Sequence, residues 1–201
     1  MLILVRHGQS EANAAGLLVG RTDSALTALG QRQAARIGEA LAAGHAGQPV
    51  RVITSPLSRA RDTAAIVAAA YGAAPPQIEE RLIELDYGEL DGQRPADLAQ
   101  GMWAAWRSDP TWRPPGGETL ADLHARLDPL WVSLVTEAAD GDVIAVTHVS
   151  PIKAAVAWVL GSGPELAWKL SLGVGAITRV ACAGPAPALV SFGEKGHLIG
   201  C

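Results

Sequence analysis

The sequence predicts an α/β fold, a three-layer α/β/α sandwich with a mainly parallel central sheet. Three observations lead there. Apolar runs of strand length occur at 2–5, 50–55 and 141–148, and segments with helical spacing of apolar residues lie between and after them. Strands alternate with helices instead of clustering, the pattern of a parallel sheet covered on both faces. The chain has 201 residues, enough for one α/β domain with a substantial core and too few for two ordinary ones. With no internal repeat, low-complexity tract or linker, 1–201 reads as a single domain.

The first strand contains Ile3, Leu4 and Val5 and stops abruptly at Arg6, His7 and Gly8. LTALGQRQAARIGEALAA (26–43) spaces Leu26, Leu29, Ala34, Ile37 and Leu41 as a helix does, with Thr27 as its N-cap. AGHAGQP, containing His45, reads as a turn before the strand VRVITS (50–55). SRARDTAAIVAAAY (58–71) is an alanine-rich helix closed by Gly72. Pro75 and Pro76 begin an extended link into QIEERLIELDYGELDG (77–92), where Gly88 and Gly92 mark turns. Segment 93–117 differs in character, with Trp103, Trp106 and Trp112 among prolines, and reads as a short helix near 95–107 followed by a loop. ETLADLHARLDPLWVSLVTEA (118–138) is a long amphipathic helix, with a kink expected at Pro129. GDVIAVTH (141–148) is an apolar strand, and a helix follows over 150–161 with Ser150 as N-cap and Pro151 at its first position. GAITRVACA and ALVSFG form two paired strands joined through GPAP (184–187).

The formal net charge of −4 argues against a general nucleic-acid binder, which needs a basic face. Two cysteines, Cys182 and Cys201, are too few for a disulfide framework, and neither lies in a metal-binding spacing. The apolar stretches 64–74 and 154–161 fall well short of the ~20 residues of a membrane span. The N-terminus lacks the basic region and cleavage site of a signal peptide. A soluble, cytoplasmic protein without membrane or nucleic-acid partners is expected, and the sequence leaves its oligomeric state open, a homodimer included.

Three strand-to-helix junctions carry similar chemistry. VRHG holds Arg6 and His7, SPLSRARDTA (55–64) holds Arg59 at a helix start, and VTHVSP (146–151) holds His148. In a doubly wound fold such strand tips gather at one sheet edge. Two arginines, two histidines and helix N-termini meeting there would suit a dianion such as phosphate. Alone, a histidine after an apolar strand is more often structural, and an exposed arginine usually only solvates a face. The coincidence of three junctions is what carries weight.

VRHGQSEAN resembles the defining motif of the histidine phosphatase superfamily, which includes cofactor-dependent phosphoglycerate mutases, broad phosphatases and α-ribazole phosphatases. SPLSRARDTA is similar to that family's second arginine motif, LIELDYGELDG to its acidic motif, and THVSP stands where the second catalytic histidine is expected. The LTALGQRQA helix is also similar. The resemblance implies a phosphoglycerate mutase-like fold and a phosphomonoesterase in which His7 attacks phosphorus in line and forms a phosphohistidine. It implies that Arg6, Arg59 and His148 hold the phosphoryl oxygens and that Glu84 donates a proton to the leaving oxygen. Asp86, Glu89 and Asp91 compete with Glu84 for that part. Asn13 matches a position that often lines the phosphate pocket, where Gln9 or Ser10 could also face.

Two departures favour the phosphatase over the mutase branch. Mutases usually follow the second histidine with Gly and Asn, where this chain has Val149 and Ser150, and they carry a longer basic insertion where this chain has the compact 93–117. That segment is expected to cap the site, with Arg94, Arg107 and Arg113 able to contact an acidic substrate; the competing reading makes Trp103 and Trp106 cap core and the arginines surface. The expected partner is a small phosphorylated metabolite: a sugar phosphate, a phosphoglycerate derivative or α-ribazole phosphate. No cofactor and no metal are expected, since His7 and His148 lack HExxH spacing or an adjacent carboxylate cluster. His45, His124 and His197 read as structural or solvated. The rival readings are a cofactor-dependent phosphoglycerate mutase and a non-catalytic family member that binds phosphate ligands.

Overall fold

The computed structural model describes residues 1–44 and 50–201, so the turn expected at His45 lies outside the described residues. Six strands form one sheet in the order β3-β2-β4-β1-β5-β6. In chain order these are β1 (Leu2–Arg6), β2 (Val50–Thr54), β3 (Gln77–Ile78), β4 (Asp142–Thr147), β5 (Ile177–Ala181) and β6 (Ala188–Glu194). β1 pairs in parallel with β4, and β2 with both β4 and β3, whereas β5 runs antiparallel to β1 and to β6.

Side chains alternate across a strand, so an apolar run is stable only where both faces are covered. Ile3 and Val5 point into a core shared with Val52, Ile144, Ile37, Leu41 and Val67. Leu2 and Leu4 point the other way, into a larger core with Val143, Ala145, Leu127, Trp131 and Ile152. The first face is covered by α2 (Ala28–Ala43) and α3 (Ser58–Tyr71), which pack on each other; the second by α5 (Leu120–Glu137) and α6 (Val149–Val159). This is the sandwich the alternation predicts.

Local chemistry sets the helix ends. Thr27 caps α2, its Oγ1 accepting from the Gly30 amide at 3.0 Å. Gly72 closes α3 at φ 64°, a left-handed conformation that glycine adopts without a Cβ penalty. Thr119 and Asp122 form a capping box at the start of α5, which continues past Pro129 as one helix. Two shorter helices, α1 (Glu11–Ala14) and α4 (Gln100–Ser108), complete the set, and a 3-10 turn at Pro95–Asp97 precedes α4.

One expectation needs correction. α6 begins at Val149 with His148, not Ser150, as its N-cap. His148 is extended (φ −124°, ψ −178°) and its buried ring bonds across to Ser55, so the helix starts immediately after the strand. Pro151 then sits at the third position, where its missing N–H is still among the four amides a helix leaves unpaired.

Candidate active site

β1 and β4 are adjacent parallel strands paired through Arg6 and Thr147, so both end at the same edge of the sheet. His7 follows β1 and His148 follows β4, and their rings meet edge to face with centroids 5.1 Å apart. The His7 backbone is pinned on both sides: its N–H donates to the Thr147 carbonyl at 3.1 Å and its carbonyl accepts from the Gly175 amide at 2.9 Å.

The glycine after His7 has a packing reason. A Cβ on Gly8 would lie 2.3 Å from the Gly30 carbonyl oxygen, and one on Gly30 would lie 2.1 Å from that of Gln9. The first turn of α2 therefore rests directly on the loop carrying His7. The Gly8 amide also donates to Thr63 Oγ1 at 3.1 Å, tying the loop to α3.

The His7 ring is oriented by two contacts. Nδ1 lies 2.7 Å from the Gly8 carbonyl oxygen, which can only accept, so the ring proton sits on Nδ1. Nε2 is left with its lone pair and accepts from Arg59 Nε at 3.3 Å. Burial, followed by the neighbouring guanidinium charges of Arg6 and Arg59, pushes the His7 pKa well below its ordinary 6.5. His7 is thus neutral with an available lone pair at physiological pH.

Arg59, in the first turn of α3, is fully buried. Its other nitrogens donate to the carbonyls of Thr22 at 3.0 Å and Gly20 at 2.7 Å. Asp91 holds that same loop from the other side, accepting from the Gly20 and Thr22 amides at 2.8 Å each. Arg6 donates through Nη1 to the Leu172 carbonyl, while its buried Nε has no partner among the described residues. No carboxylate lies within ion-pairing distance of either guanidinium among the described residues.

His148 is fully buried, with Nε2 2.7 Å from Ser55 Oγ. Ser55 Oγ already accepts from the Leu57 amide, so its hydrogen is free for His148 Nε2. With Ser55 donating to Nε2 the ring proton lies on Nδ1, a buried atom that has no partner among the described residues. Burial, with His7 and the two arginines adding to it, holds the His148 pKa far below its usual range. Among the described residues, two buried nitrogens beside the Arg6–Arg59 pair, Arg6 Nε and His148 Nδ1, have no hydrogen-bond partner.

Glu84 lies in the segment after a 3-10 turn (Glu80–Leu82) and is 2% exposed. Its Oε1 accepts from the amides of Leu85 at 2.7 Å and Ser150 at 3.2 Å. Burial raises its pKa above the usual 4.5, outweighing those amides and the attraction of Arg59 and Arg6. Its competitors are otherwise engaged or solvated: Asp86 accepts from the Gly88 amide and pairs with Arg21, Asp91 holds the 20–22 loop, and Glu89 is exposed.

The structure spends the side-chain carbonyl of Asn13 on the capping box of α1, where Oδ1 accepts from the Ser10 amide at 3.2 Å. Ser10 is used in the same cap, and Gln9 Oε1 accepts from Thr27. Of the remaining histidines, His124 is half-buried on α5 and His197 bonds the Gly175 carbonyl at 2.9 Å. Several residues of the cluster escaped sequence reasoning, among them Ser55, Thr63, Ser150 and Lys153. Ser55 and Thr63 belong to the second arginine motif, but a hydroxyl there gives no signal of direction.

Beside Glu84 lies a cavity of about 90 Å³ walled by Leu85, Tyr87, Trp103, Trp106, Ser150, Lys153 and Trp168. Trp106 is buried and stacks on Trp103, centroids 5.8 Å apart, with Trp112 and Trp168 packed around it. The arginines of 93–117 are exposed: Arg107 lies over the Trp168 ring and Arg113 pairs with Asp122. The cation in the cavity wall is Lys153, half-buried and donating to the Ala167 carbonyl at 2.9 Å.

The profile of the histidine phosphatase superfamily (branch 1) matches residues 2–195. The chain belongs to that superfamily. It is 36% identical over 193 residues to the glucosyl-3-phosphoglycerate phosphatase of Mycolicibacterium vanbaalenii, covering 91% of this chain and 84% of that one. It is 38% identical over 165 residues to the 2,3-bisphosphoglycerate-dependent phosphoglycerate mutase of Methylobacterium radiotolerans, covering 78% and 77%. Among solved structures, the phosphoserine phosphatase of Entamoeba histolytica in complex with 3-phosphoglyceric acid superposes with a TM-score of 0.86 at 27% identity, over 98% of both chains. This superfamily's relatives thus include phosphatases of small phosphorylated metabolites, and the fold is the phosphoglycerate mutase-like one.

Proposed function

We propose that this histidine phosphatase is a metal-independent phosphomonoesterase working through His7. The observation that carries the reading is the His7 tautomer: Nδ1 is held by the Gly8 carbonyl, and the Nε2 lone pair faces the buried cations. In the first step Nε2 attacks phosphorus, the P–O bond to the alcohol breaks, and the Glu84 carboxyl gives its proton to the departing oxygen. Arg6, Arg59 and the Nδ1–H of His148 stabilise the equatorial oxygens, each such donor being typically worth ~10²–10³ in rate. In the second step the Glu84 carboxylate takes a proton from water, the resulting hydroxide attacks phosphorus, and the P–N bond returns its electron pair to Nε2. Substrate binding at Asn13 rests on family resemblance, through an amide that its cap contact leaves free.

The cavity beside Glu84 would take the alcohol part of the ester, and segment 93–117 would act as its cap. The aromatic wall suits a ring or carbon skeleton, and Lys153 suits a carboxylate, consistent with the phosphoglycerate and phosphoserine esters named for the relatives. The test offers p-nitrophenyl phosphate with excess chelator to the native protein and to His7→Ala. Turnover by the native protein alone, with an acid-labile phosphoryl group trapped on it, is expected. Equal rates for the two would sink the mechanism. Transfer between positions of a phosphoglycerate, dependent on a bisphosphate primer, would point to the mutase, and binding without turnover to the non-catalytic reading.

A further inference from the structure

Arg126, on α5, lies outside every motif that signalled the site. Its guanidinium nonetheless gathers the backbone of the segment that presents Glu84. Nη2 donates to the carbonyls of Ile83 at 2.9 Å and Glu84 itself at 3.2 Å, and Nη1 donates to that of Arg81. The same side chain grips Glu118 with Nε at 2.7 Å and Nη2 at 3.1 Å. Glu118 in turn accepts from the Asp86 amide at 3.3 Å and lies 3.5 Å from Arg21 Nη2, while Arg21 Nη1 meets Asp86 at 3.1 Å. Two ionic clamps therefore close on residues 81–86, one on each side of the proposed acid.

The backbone reinforces the clamp. The Glu118 amide donates to the Asp86 carbonyl and the Glu89 amide to that of Pro115, both at 2.9 Å. The two stretches approach so closely that a Cβ on Gly88, which has φ 51°, would lie 2.1 Å from the Pro115 carbonyl oxygen. Segment 81–88 has little regular structure of its own beyond its 3-10 turns. Its carbonyls need partners, and three of them find one in a single planar fork.

We infer that Arg126 is the positioning residue for the Glu84 carboxyl, fixing it at the distance proton transfer requires. This rests on the proton-donor role proposed above for Glu84. Lysine could not replace the fork, because an ammonium cannot donate in one plane to three carbonyls and a carboxylate together.

Leaving-group chemistry separates positioning from mere stability. An alkyl phosphate expels a strongly basic alkoxide and needs the proton, whereas 2,4-dinitrophenyl phosphate expels a weakly basic phenolate and does not. kcat/KM covers the steps up to departure of the alcohol, so later hydrolysis of the phosphohistidine does not enter. Glu84→Gln, Arg126→Met and Arg126→Lys are assayed on glycerol 2-phosphate and on 2,4-dinitrophenyl phosphate, with folded protein quantified by circular dichroism. A misplacement near 1 Å costs ~10² in rate, so Arg126→Met is expected to lose about 100-fold on the alkyl ester and only a few-fold on the dinitrophenyl ester. Arg126→Lys should show the same selective loss in smaller measure, and it carries the test if Arg126→Met does not fold. Equal losses on both esters for the Arg126 variants, beside a selective loss for Glu84→Gln, would overturn the positioning role alone. Equal losses for Glu84→Gln would remove the acid role and this inference with it.

Discussion

Glu84, the proposed proton donor, shows at the level of one side chain how such a role would oppose stability. Burial holds its carboxyl in the neutral form above the usual 4.5, so the folded state binds a proton that the unfolded chain has released. Stability contributed by this group is full below the unfolded pKa and is lost as pH rises through the raised folded value. Glu84→Gln, always neutral, is therefore expected to melt higher than the native protein at pH 7–8, with the gap closing toward pH 4 in a series of thermal scans. His7 and His148 act in the opposite sense. Both are held neutral below 6.5, so their contribution is present above that pH and lost as pH falls toward their depressed folded values. The same two signs shape activity: kcat/KM on an alkyl phosphate should fall on the acid side as His7 protonates and on the alkaline side as Glu84 ionises. Glu84→Gln should flatten the alkaline limb, and an unchanged limb would reassign it.

At the scale of elements, the site depends on how closely backbones meet. The loop at His7 is seated on α2 through Gly8 and Gly30 with no room for a methyl group at either. Gly30→Ala is expected to cost about 1–3 kcal/mol, the range of an overpacked contact, measured by urea unfolding. Because the strain falls on Gln9 and its neighbours, His7-dependent turnover should drop as well. A wild-type midpoint would show that the helix can shift freely. The tryptophan cluster divides differently from its arginines. Trp106 is 1% exposed beneath the cavity, so Trp106→Ala is expected to lose about 3–5 kcal/mol, as large buried aromatics do. Arg107 and Arg113 are exposed, as in the reading that places the arginines of 93–117 on the surface.

Over the whole molecule, a formal net charge of −4 surrounds a site whose guanidiniums have no ion-paired carboxylate among the described residues. A dianion bound there would relieve the repulsion between the two guanidiniums and engage Arg6 Nε and His148 Nδ1, which have no partner among the described residues. Inorganic phosphate at a hundred times its Kd would add about 2.7 kcal/mol by mass action, a rise of about 5–10 °C in melting midpoint for a chain of this size. Differential scanning calorimetry with phosphate against chloride of equal ionic strength tests it, and matching curves would count against an anion site.

The sequence by itself determined the layers and the members of the central cluster. Apolar runs flanked by caps and glycines are local signals, and Arg6, His7, Arg59 and His148 each sit at a strand-to-helix junction that local pattern can locate. Only the tertiary structure decided what those groups do to one another. The His7 tautomer depends on the Gly8 carbonyl and on Arg59, 52 positions away in the chain. The raised carboxyl of Glu84 follows from burial against α6, and its backbone is held by Arg126, 42 positions away. Proton location and charge depend on solvent exclusion and on partners distant in sequence, and residue type and spacing encode neither.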